Sequence, residues 1–140
     1  MVVTDISAQR PHPIDVLIID DDRDVRETVA QILDDEGYSV ASASQGEEAF
    51  VQLREGTTPR LILLDLVMPV MDGRNFLARL AEVPRLAAVP VVIVSGSGDL
   101  ARAAAALQVA GFLEKPIALD DLLGAIRRCL APVAQATPTG

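Results

Sequence analysis

Six side chains in this sequence stand where short apolar runs end, and their types suit phosphoryl chemistry. Asp20, Asp21 and Asp22 follow Val16–Ile19, and Asp65 follows Leu61–Leu64. Ser95 follows Val91–Val94, and Lys115 ends Gly111–Glu114 and precedes Pro116. If the runs are neighbouring strands, the carboxylates converge at one sheet edge. Two like charges about 4 Å apart repel by roughly 4 kcal/mol at an effective dielectric of 20. A stable fold then needs a compensating cation or a raised pKa. Hard oxygen ligands with few carboxylates favour Mg²⁺ over Ca²⁺, and a chain with a single histidine, His12, has no Cys/His set for zinc. Mg²⁺ beside a carboxylate can hold phosphoryl oxygens during in-line transfer. Asp65, alone at its strand tip, is the expected nucleophile, and its product would be an acyl phosphate. The Ser95 hydroxyl can bond a phosphoryl oxygen, with Gly96 letting the backbone approach closely. Lys115 is the only lysine among twelve basic residues, a compact charge suited to a carboxylate or phosphate. A cis Lys115–Pro116 bond would aim it inward.

These residues need a sheet to hold them. Val16–Ile19, Leu61–Leu64 and Val91–Val94 are apolar throughout, as parallel strands covered on both faces must be. Tyr38–Ala43 and Gly111–Glu114 are more mixed or shorter and suit the two edges. Between them lie helical patterns. Val25, Val29, Ile32 and Leu33 share a face of a helix that stops before Gly37. Ala49 and Leu53 mark a second helix, ended near Gly56, and Phe76, Leu77 and Leu80 a third that stops before Pro84. Ala101–Leu107 has strong helix propensity. Leu119, Leu122, Leu123, Ile126 and Leu130 form a last stripe that Pro132 closes. Alternating strands and helices give an α/β doubly wound fold, a flavodoxin-like (βα)5 sandwich with sheet order 2-1-3-4-5. Ligands of such sheets bind beyond the carboxyl ends of the strands, at the switch between strands 1 and 3. Asp20–Asp22 and Asp65 fall there.

Composition narrows the function classes. The 140 residues suit one domain: a loose leader over 1–13, a folded unit over 14–131 and a disordered tail over 132–140. Half the residues are hydrophobic but only three Phe and one Tyr are aromatic, so the core must be aliphatic. A net charge of −8 without clustered basic residues argues against nucleic acid. One cysteine, Cys129, permits no internal disulfide and points to a reducing compartment. No apolar run approaches the roughly 20 residues needed to span a bilayer, and no signal-peptide pattern opens the chain. The expectation is a cytoplasmic protein without membrane contact.

Taken in order, the runs Ile18-Ile19-Asp20-Asp21-Asp22, Leu63-Leu64-Asp65-Leu66-Val67-Met68-Pro69-Val70-Met71-Asp72-Gly73, Val94-Ser95-Gly96 and Phe112-Leu113-Glu114-Lys115-Pro116 resemble the receiver domain of two-component response regulators. The resemblance covers about residues 14–131, with each motif on the expected strand end. It implies that Asp65 takes a phosphoryl group from a phosphohistidine on a sensor histidine kinase or histidine phosphotransfer protein. It implies Mg²⁺ held by Asp20, Asp21, Asp65 and the Val67 carbonyl, with Lys115 pairing with the phosphoryl group. Ser95 would move toward the phosphate, and Phe112 would change rotamer in response. The signal would leave for a downstream protein through the fourth helix, fifth strand and fifth helix, from a monomer or a phosphorylation-dependent dimer. Three departures touch that partner surface: Ile117 where Phe is common, Gly96 where Ala is usual, and a slightly short stretch from Ser95 to Lys115.

Blander readings exist for each residue. Asp20 and Asp21 could simply favour a helix N-terminus, although Asp22 or Arg23 lies nearer the helix start and could serve there. Asp65 could be a turn residue, Ser95 a satisfier of loop backbone groups, Lys115 a solvated surface charge and Phe112 plain core. His12 and Cys129 read as inert, and Glu47-Glu48 and Asp34-Asp35-Glu36 as solvated faces. Alternative functions are a phosphate sink or relay, and an interaction module that never takes phosphate, against which intact Asp21, Asp65 and Lys115 speak. An aspartyl phosphatase or mutase needs an acid two residues after the nucleophile, where Val67 stands. A nucleotide binder needs a Gly-rich first loop, which is acidic here. The domain is not expected to be an enzyme beyond its own phosphotransfer and slow autodephosphorylation.

Overall fold

Short strands without a polar residue have no side to offer water, and here they are the buried centre of a sheet. The computed structural model describes residues 14–55, 58–65, 73–96 and 109–136. Its strands are β1 (Val16–Ile19), β2 (Val40–Ala43), β3 (Leu61–Asp65), β4 (Val91–Ser95) and β5 (Gly111–Glu114). All neighbours pair in parallel, in the order β2-β1-β3-β4-β5. Every residue of β1, β3 and β4 is buried, while the edge strands β2 and β5 are partly open. This is the flavodoxin-like doubly wound sheet expected from the alternation of elements.

Helix α1 (Arg23–Asp35) begins at Asp22, whose carboxylate accepts from the Asp24 and Val25 backbone N–H groups. Two of the four unpaired donors of its first turn are thereby satisfied. It ends at Gly37, whose φ of 94° is a left-handed conformation that glycine adopts without strain. Next come α2 (Gly46–Arg54) and α3 (Gly73–Ala81). A short α4 (Pro84–Ala87) follows where the sequence reading placed only a stop. Pro84 ends α3 and opens α4, because the first helical position needs no N–H donor.

The last helix, α5 (Leu119–Ala136), corrects a boundary. It passes Pro132, at which the apolar stripe was expected to close. A proline removes one intrahelical bond and crowds the preceding turn, which disfavours a helix without always ending it. The leader over 1–13 and the helix read over 101–107 lie outside the described residues.

Alternation along the strands divides the core in two. Leu17, Ile19, Ile62, Leu64 and Ile93 face Phe50, Leu53 and Phe76 of α2 and α3. Val16, Ile18, Leu61, Leu63, Val92 and Val94 face Val29, Leu33, Leu122 and Ile126 of α1 and α5. Each such side chain stabilises the fold by about 1.5–3 kcal/mol relative to exposure. The two layers thus fix the sheet to within one side chain of register.

Candidate functional site

Register brings the site residues together. Ile19 is level with Leu64, so the next residues, Asp20 and Asp65, leave their strands side by side. Asp65 pairs with Val94, and Ser95 pairs with Glu114, the residue before Lys115. Because side chains alternate in a strand, Asp20 follows the parity of Ile18, and Asp65 that of Leu63, both in the α1–α5 layer. Lys115 follows the parity of Leu113 in that layer. Ser95 has the opposite parity and shares it with Ile93 and its partner Phe112.

The carboxylates crowd as expected. One oxygen from each of Asp20, Asp21 and Asp65 lies within 4.8 Å of the others. Asp20 and Asp65 are buried and Asp21 is exposed. Such an all-oxygen set fits a hard divalent cation that keeps several waters. Val67, the fourth expected ligand, lies outside the described residues.

Some of the repulsion is already balanced within the chain. The Lys115 ammonium is 3.0 Å from Asp20 Oδ2 and 3.6 Å from Asp65 Oδ2. Burial pulls its pKa down, but hydrogen bonding and charge from Asp20, then charge from Asp65, outweigh that and hold it above the ordinary 10.5. Lysine as a freely solvated surface charge does not describe this position. The Lys115–Pro116 bond is cis, and the Lys115 N–H donates to the Ser95 carbonyl at 2.8 Å. Ser95 itself is buried at its strand end. A Cβ on Gly96 would lie 3.9 Å from that of Lys115, an ordinary contact, so among the described residues no neighbour there requires glycine. Phe112 is half-buried against the α2–α3 layer. Cys129 is half-buried and its thiol is pushed up by burial, consistent with an unreactive side chain.

Two participants were not legible in the sequence. Arg26, on the first turns of α1, donates from Nη1 to the Asp20 carbonyl at 2.9 Å. Glu48, read as part of a solvated face, is exposed but accepts from both the N–H and the hydroxyl of Ser44 at 2.7 Å. Those bonds from Ser44 hold the Glu48 carboxyl below its ordinary range, with the Arg26 charge adding to the effect. A helical Arg six residues after an aspartate carries no motif. Only the turn between β1 and α1 brings it back.

A parallel sheet of this order, with acidic residues at its switch point and a lysine reaching them, is matched by known proteins. The response regulator receiver domain family matches residues 16–127. The chain belongs to that family. It is similar to the response regulator Rre1 of Synechocystis, with 35% identity over 85% of this chain and 52% of that protein. It is also similar to the positive alginate biosynthesis regulatory protein of Pseudomonas aeruginosa, with 36% identity over 85% of this chain and 48% of that protein. The chain thus spans about half the length of these curated relatives. Among solved structures it resembles the chemotaxis protein CheY4 of Vibrio cholerae, with a TM-score of 0.76 and 28% identity over 85% of this chain and all of that one. The receiver domain of NtrX from Brucella abortus gives 0.74 and 33% identity over 84% of this chain and 98% of that one.

Receiver domains are phosphorylation-based signalling domains rather than ordinary enzymes. They bind Mg²⁺ at an acidic pocket and interact with histidine kinases and downstream effectors. Among the described residues, no helix is long and apolar enough to cross a membrane.

Proposed function

We propose that Asp65 is the phosphoacceptor of a two-component signalling switch. Its donor is a phosphohistidine on a sensor histidine kinase or a histidine phosphotransfer protein. Transfer is one displacement: an Asp65 carboxylate oxygen attacks phosphorus as the P–N bond breaks. The electron pair of that bond stays on the imidazole nitrogen.

The observation that carries this reading is the cluster of Asp20, Asp21 and Asp65 oxygens within 4.8 Å, with the Lys115 ammonium against two of these residues. Asp20, Asp21, Asp65 and the Val67 carbonyl are the residues that would hold Mg²⁺. The ion supplies charge neutralisation for phosphoryl oxygens at the rim of the sheet. Asp65 presents the nucleophile, while Lys115 offers an ammonium to the incoming oxygens in place of its present carboxylate partners. Ser95 would donate its hydroxyl to another phosphoryl oxygen. Phe112, on the same sheet face as Ser95, would follow that movement toward the β5–α5 surface, where a downstream protein binds.

The test is incubation of the folded protein with Mg²⁺ and acetyl phosphate, followed by intact-mass measurement. One acid-labile phosphoryl group on the wild type, and none on Asp65→Asn, is expected. A modified Asp65→Asn protein, or an unmodified but folded wild type, would sink the assignment.

A further inference from the structure

All polar groups of Asp20 are engaged. Its N–H donates to the Ala43 carbonyl at 3.2 Å, its Oδ1 accepts from the Asp22 N–H at 2.9 Å, and its Oδ2 faces Lys115 at 3.0 Å. The remaining group, the carbonyl, accepts from Arg26. That carbonyl belongs to the peptide joining Asp20 to Asp21, so its direction fixes the plane from which Asp21 departs. The Asp21 carboxylate has no hydrogen-bond partner among the described residues and is exposed. Its place in the cluster therefore depends on the backbone beneath it. Arg26 is half-buried on α1, and its charge is felt by Glu48, which Ser44 anchors at the end of β2.

We infer that Arg26 is a positioning residue for the divalent-ion site, holding the Asp20–Asp21 peptide so that both carboxylates meet Asp65. The inference rests on the metal reading above. Positioning and simple charge predict opposite signs. A positive group near a cation site weakens cation binding through space, so removing the charge alone tightens it. Removing a group that orients the ligands weakens binding, by about tenfold or more where such outer partners have been deleted.

The experiment is Mg²⁺ titration by calorimetry on wild type, Arg26→Ala, Arg26→Lys and Arg26→Met, with metal-free melting as the check on folding. Arg26→Ala should bind Mg²⁺ about tenfold more weakly. Arg26→Lys, which keeps one donor but not the planar fork, should recover part of that loss. Arg26→Met, which loses the charge and the donor but keeps an apolar stem at this half-buried position, should bind about as weakly as Arg26→Ala. If Arg26→Ala is unfolded, Arg26→Met decides by the same sign. Equal or tighter binding by the deciding variant, beside a wild type that binds, overturns the positioning role alone. A folded wild type that does not bind Mg²⁺ overturns the metal reading and this inference with it.

Discussion

The two rims of the sheet both carry charge, and they differ in how it is balanced. At the amino-terminal rim, Asp15, Ser39 and Arg60 stand just before β1, β2 and β3. Asp15 Oδ1 pairs with Arg60 at 3.2 Å and Oδ2 accepts the Ser39 N–H at 2.9 Å. Ser39 Oγ accepts the Asp15 N–H at 3.1 Å, and Arg60 also reaches the Leu130 carbonyl at 3.3 Å. One carboxylate meets one guanidinium, and the remaining bonds tie β1, β2, β3 and α5 together. At the carboxyl rim three carboxylates gather within 4.8 Å, and Lys115 reaches two of them. Matched charge secures a fold, whereas an excess of one sign is kept where something else must bind. That contrast separates a structural ion pair from a binding site within one sheet.

The comparison can be broken most sharply at Lys115. Lys115→Ala leaves the buried Asp20 carboxylate without its cation and should lower metal-free stability by about 2–4 kcal/mol, read by urea denaturation. Saturating Mg²⁺ should restore part of this, since the ion takes over as counter-charge. A loss that Mg²⁺ leaves untouched would show that the lysine acts through packing instead.

Arg60→Ala should cost about 1 kcal/mol, because its pair with Asp15 is partly solvated. Mg²⁺ affinity and phosphoryl uptake should be unchanged. An altered metal affinity would mean that the two rims are coupled.

Alkaline pH sharpens the same contrast. A pKa raised in the folded state contributes stability that is complete below the unfolded value, 10.5, and lost as pH rises through the folded one. Metal-free melting should therefore fall more steeply above about pH 10.5 in the wild type than in Lys115→Ala.

The smallest effect belongs to Asp21→Asn. Relief of repulsion at an exposed position should raise metal-free stability by only about 0.5 kcal/mol while Mg²⁺ affinity falls. Unchanged or lowered metal-free melting would show that Asp21 does not strain the free protein.

Much of this was readable from pattern because the fold and the site share one code. Uniform apolar runs marked β1, β3 and β4 as central strands, and chemistry sat at their ends. Asp22, the cap of α1, was one of two residues legible at that helix start. What escaped depends on return paths through space. Arg26 points back to a carbonyl six residues earlier, and Glu48, though exposed, accepts from Ser44 four residues before it. The pairing of Lys115 with Asp20 reaches across the two strands, β4 and β3, that separate β5 from β1. Pro132 misled because a proline disfavours a helix without always ending it, and Pro84 because the residue that stops one helix can start another.

The level pairing of Ile19 with Leu64 has an evolutionary consequence. Inserting a single residue between Ile62 and Leu63 would turn Asp65 to the opposite side of the sheet, toward Ser95, and exchange the layers faced by Leu63 and Leu64. Chemistry and packing would fail in the same step. The strands therefore act as a reading frame that drifting sequences cannot shift, whatever lengths their loops acquire.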